Sequence, residues 1–125
     1  MSKTIATKIA EVAVNTKFEN LPEEAVVKAK TLTLDVLASM LGTREVISST
    51  IAREVAEEMG GPAEATIVGS KDKVAAPNAA FANAIQCYGL DFVDDHNESN
   101  AHPSPATFPA SMALSEMLHR SGKEY

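Results

Sequence analysis

The 125-residue sequence predicts an all-α fold with at most one short β-ribbon near residues 65–75. Three observations carry that prediction. Apolar residues recur at three- and four-residue spacing through most of the chain. Capping residues, prolines and glycines fall where helices would start and stop. The period changes only once, between Pro62 and Pro77.

The first helix is expected over about residues 4–16, with Ser2 or Thr4 as its cap and Ile5, Ile9, Val12 and Ala13 on one face. A second is expected over about residues 21–41. Asn20 stands three residues before Glu23, with Pro22 in the first turn, where a missing N–H costs nothing. Val26, Ala29, Thr33, Val36, Leu37 and Met40 then hold an apolar face up to Gly42, which suits a left-handed C-terminal cap. The third helix should run from Ser49 or Thr50 to Met59, with Ile51, Val55 and Met59 as its stripe and Gly60-Gly61-Pro62 as its terminator.

Ala65-Thr66-Ile67-Val68 and Lys73-Val74, on either side of Gly69-Ser70, read as the ribbon. From Pro77 to Tyr88 the chain is helical and rich in alanine, which predicts a buried helix closely packed on its neighbours. Residues 91–108 hold no period and contain Pro103 and Pro105, so a loop is expected there, with room for one helical turn near Asp91 to His96. A last helix from about Pro109 would present Ala110, Ala113, Leu114, Met117 and Leu118 and stop at Ser121-Gly122.

A chain of this length has room for one domain, with no repeat or linker dividing it. Aromatic residues are only 5% of it, so the core must come from Ala, Val, Leu, Ile and Met. A net charge of −6 opposes the counterion release that drives nucleic-acid binding, which makes DNA and RNA poor partners. The single cysteine, Cys87, can form no internal disulfide, and its apolar helix without a nearby cation suits a buried structural thiol better than a nucleophile. No apolar run reaches a membrane span and no signal-peptide core follows Met1, so a soluble cytoplasmic protein is expected.

Charge is unevenly distributed. No Lys or Arg lies between Lys73 and Arg120, and that stretch holds Asp91, Asp94, Asp95, Glu98, Glu116 and all three histidines, His96, His102 and His119. Four of the acids and two of the histidines fall within residues 91–102. Carboxylates beside imidazoles can set tautomers and move protons, while Asp and Asn also serve as turn formers in a plain hydrophilic connector. A metal site built from Asp94, Asp95, His96 and Glu98 is a further alternative, although His96 and His102 match no common ligand spacing. His119, at a helix end, suits the dipole.

Several segments together resemble the MmgE/PrpD family, whose members include 2-methylcitrate dehydratase, cis-aconitate decarboxylase and iminodisuccinate epimerase. They are Leu21-Pro22-Glu23-Glu24, Lys28-Ala29-Lys30 with Leu34-Asp35, Gly60-Gly61-Pro62, Ala76-Pro77-Asn78-Ala79-Ala80, residues 91–96, His102-Pro103 and Ser121-Gly122-Lys123-Glu124. Where the family commonly has Asp-Asp-Thr, this chain has Val93-Asp94-Asp95. The resemblance implies the beginning of a longer enzyme: a helical domain whose smaller α/β lid domain is absent from these residues. It also implies proton transfer next to a carboxylate of a small di- or tricarboxylic acid, without a metal or organic cofactor.

By the same resemblance Asp91 and His102 are the catalytic candidates, and Asp95 and His96 the substrate-binding ones. Further His, Lys and Tyr groups of the family's site have no counterpart here. Cations for a polycarboxylate would then come from a complementary C-terminal subunit, a second copy in a homo-oligomer, or Arg120 and Lys123 folded back. A non-catalytic helical interaction module built on the same scaffold is the alternative reading.

Overall fold

The computed structural model describes residues 3–125 and contains five helices and a two-stranded antiparallel ribbon. Helix α1 spans Ile5–Asn15, α2 Glu23–Gly42, α3 Ile47–Met59, α4 Ala76–Tyr88 and α5 Pro103–Met117; strands β1 (Ala65–Thr66) and β2 (Lys73–Val74) pair Ala65 with Val74 and Thr66 with Lys73. The all-α expectation with one ribbon therefore holds. Helix α4 is the hub, packed on α2, α3, α5 and both strands.

Local chemistry explains most boundaries. The Thr4 hydroxyl accepts the Thr7 N–H and caps α1. Asn20 does not cap α2. It closes a 3₁₀ turn, Phe18–Asn20, and Pro22 takes the cap position without a side-chain bond, so Glu23 and Glu24 are left to favour the helix dipole. Gly42 is the last residue of α2 and has no left-handed conformation; Thr43 ends the helix instead, its hydroxyl bonding the Met40 and Gln86 carbonyls.

Helix α5 begins at Pro103, six residues before the position expected from the sequence. Pro103 and Pro105 lie in its first turn, where N–H groups have no intrahelical partner anyway, and Pro109 removes one ladder bond a turn later. Ser104, Pro105, Pro109 and Ala113 are buried, whereas Ala110, Leu114 and Leu118 of the expected face are exposed. His119, with φ 51°, ends the helix in a Schellman arrangement: Arg120 N–H bonds Ser115 O and His119 N–H bonds Glu116 O. A turn follows in which the Glu124 carboxylate accepts the Ser121 N–H and hydroxyl and the Glu124 N–H bonds Ser121 O.

The core is built mainly of small residues. Ala56, Ala65, Ile67, Val74, Ala76, Ala79, Ala82 and Ala113 form one cluster, and Val36, Met40 and Cys87 form a second that Leu37, Val68, Val93 and Phe108 flank. Among the described residues no leucine is fully buried. Buried amides stitch the ribbon to α4: Asn83 Oδ1 accepts the Val68 N–H at 2.8 Å, its Nδ2 donates to Thr66 O at 3.0 Å, and Gln86 Nε2 donates to Val68 O at 3.2 Å. No described helix is long and apolar enough to cross a membrane.

Candidate functional site

The acid-rich loop occupies residues 89–102, between α4 and α5. Its entry is fixed by close packing. A Cβ on Gly89 would lie 2.6 Å from Thr43 Cβ, so only glycine lets the end of α4 meet the corner between α2 and α3. Asp91 follows in the left-handed region (φ 51°), with its N–H on Tyr88 O. The Phe92 carbonyl accepts the Ser39 hydroxyl of α2, and Val93 packs on the Val36–Met40–Cys87 cluster. That contact gives a physical role to the valine that departs from the family's acidic pattern.

Beyond Val93 two short systems of bonds organise the histidines. His102 Nδ1 lies 2.8 Å from Asp94 O, its ring stands edge-on to Tyr88 at 6.0 Å, and the Asp94 carboxylate accepts the Ser104 N–H at 3.2 Å. His96 belongs to a tight turn closed by its N–H on Ala101 O; its Nδ1 lies 2.8 Å from the Ser99 hydroxyl and 3.3 Å from the Ser99 N, and its Nε2 lies 3.4 Å from Glu98. The half-buried His102 is thus held between α4 and the start of α5, whereas His96 is exposed.

The other two sequence candidates stand apart. Asp91 and Asp95 are exposed, and neither carboxylate forms a hydrogen bond or ion pair with a described residue. Nor do Asp94, Asp95, His96 and Glu98 converge as ligands around one point; among the described residues no three His, Cys, Asp or Glu side chains do. Asp94, which the sequence offered only as one acid of the cluster and as part of the metal alternative, is the residue the structure ties to His102. Its signal in the sequence is the Pro103-Ser104-Pro105 start, which leaves Ser104 as the single N–H donor among the first three helical positions. The Ser104 hydroxyl is buried without a partner.

Fixed positive charge is absent from the loop, and the bracketing cations are engaged elsewhere. Lys73 pairs with Glu116 at 2.7 Å and Arg120 with Glu124 at 3.0 Å, while the Lys123 ammonium sits over the Phe18 ring. Arg120 and Lys123 folded back onto the loop, one source of cations considered from the sequence, is therefore not the observed arrangement. Two cavities, of about 310 and 340 Å³, lie beside α5 and beside α4; Asp91, Asp95, His96 and His102 line neither.

The helical scaffold presents an imidazole–carboxylate loop between α4 and α5, its most extensively packed pair of helices. The family model of the MmgE/PrpD N-terminal domain matches residues 7–125, and the chain belongs to the MmgE/PrpD family. It is 32% identical over 125 positions to cis-aconitate decarboxylase of Homo sapiens, an alignment covering 98% of this chain and 26% of that protein. The chain thus spans about a quarter of the length of this relative. No solved structure gives a significant match.

Proposed function

We propose that the chain supplies the N-terminal helical part of a MmgE/PrpD-type lyase or isomerase that moves a proton next to a carboxylate of a small di- or tricarboxylic acid. The observation that carries this reading is the anchored His102, the half-buried imidazole of the loop, in a chain belonging to a family that includes cis-aconitate decarboxylase. His102 acts as the general acid or base, Asp91 orients the reacting group, and Asp95 and His96 contact the substrate. The loop lacks the fixed cations that two or three carboxylates require, so activity depends on groups outside residues 91–102. A complementary C-terminal part of a MmgE/PrpD enzyme, or a second copy of the chain, supplies them. The surroundings of the site are cytoplasmic.

Turnover of cis-aconitate and 2-methylcitrate tests this, with the chain alone and joined to a C-terminal MmgE/PrpD portion. The chain alone is expected to be inactive. In the completed enzyme His102→Ala lowers turnover by roughly 10² or more, the usual size of an acid–base contribution. Asp91→Asn lowers kcat more than it raises KM. Robust activity from the chain alone, or an unimpaired His102→Ala enzyme, would overturn the reading.

A further inference from the structure

We infer that Asp94 is a positioning residue that holds His102 in the Nδ1–H tautomer and thereby makes Nε2 the proton-transferring atom. The inference deepens the proposed function, since it rests on His102 as the acid–base group for its importance, though not for its geometry. A carbonyl oxygen can only accept, so the 2.8 Å contact between His102 Nδ1 and Asp94 O requires the hydrogen on Nδ1. In the neutral ring the lone pair is then on Nε2.

Asp94 is itself fixed from the other side of Pro103. Its Oδ1 accepts the N–H of Ser104, the one donor that Pro103 and Pro105 leave among the first three positions of α5. The helix dipole favours a carboxylate there. One residue therefore grips the imidazole through its backbone and the helix start through its side chain, while the edge-on Tyr88 ring restricts His102 further. His96 is not constrained in this way: its Nδ1 lies 2.8 Å from the Ser99 hydroxyl, which can donate or accept, and 3.3 Å from the Ser99 N–H, so its contacts fit either neutral form. Of the two histidines, only His102 has its Nδ1 against a group that can only accept.

Long-range ¹H–¹⁵N spectra of the imidazoles in the ¹⁵N-labelled 125-residue chain test the proposal, recorded at pH about 8.5, some two units above an ordinary imidazole pKa. The expected result is Nδ1–H for His102. Asp94→Ala keeps the accepting carbonyl but releases it from Ser104, so part of the His102 population should move to the Nε2–H form, and Asp94→Asn, which keeps an acceptor for Ser104, should retain Nδ1–H. An Nε2–H His102 in the unaltered chain overturns the proposal even if Asp94→Ala does not fold. So does an Asp94→Ala chain that keeps Nδ1–H. A completed enzyme that is unimpaired by His102→Ala sinks the functional reading alone and leaves these spectra unchanged.

Discussion

Cys87 lies fully buried between Val36 and Met40, and burial, with Asp35 adding its negative charge, pushes its thiol up to about 12. It should resist alkylation in the native chain at pH 8 and react only on unfolding, which a mass-resolved labelling time course across a urea gradient would show; rapid native labelling would refute it. Glu116 behaves oppositely. Partial burial works against its charge, but hydrogen bonds from Lys73 and from the Thr66 hydroxyl and N–H hold its carboxyl below the ordinary 4.5. A depressed folded value contributes stability that is full above about 4.5 and is lost as pH falls through the folded value. Glu116→Gln should therefore flatten the fall in Tm below pH about 4.5, and an unchanged acid limb would contradict the pairing. The fate of Cys87 was legible in its apolar neighbours. That of Glu116 was not, because Lys73 and Thr66 reach it only through tertiary contact.

Helix α3 is where pattern and packing part. Its large apolar stripe, Ile47, Ile51, Val55 and Met59, faces outward, and the small residues Ser49, Ala52 and Ala56 are buried. Ala79 and Ala82 of α4 explain the choice, because an alanine face can be approached closely only by another small face. Periodicity fixed the helix but not which side turns in. Ala56→Leu should overpack this contact and cost about 1–3 kcal/mol, whereas Ile51→Ala should stay within about 0.5 kcal/mol; thermal unfolding of the pair checks the orientation, and the reverse order would contradict it. The start of α5 was obscured for a related reason. Prolines usually read as breakers, and only their position in a first turn makes Pro103 and Pro105 compatible with a helix.

For the molecule as a whole, α1 buries no residue, and Ile5, Ile9, Val12, Ile47, Ile51 and Phe81 remain exposed. That much unburied apolar surface favours association, so the purified chain should sediment above monomer mass at high concentration, and a strictly monomeric profile would count against it. The acid–imidazole loop was visible as a cluster within residues 91–102, but its organisation was not, since Asp94, Tyr88 and Ser104 act on His102 through folded geometry. The role proposed for His102 is to move a proton at a carbon next to a carboxylate. Deuterium exchange from D2O into that position of a small polycarboxylate, followed by NMR with the chain joined to a C-terminal MmgE/PrpD portion, tests it most directly. Exchange should fall by roughly 10² or more in His102→Ala, and exchange that persists undiminished in that variant would mean that another group moves the proton.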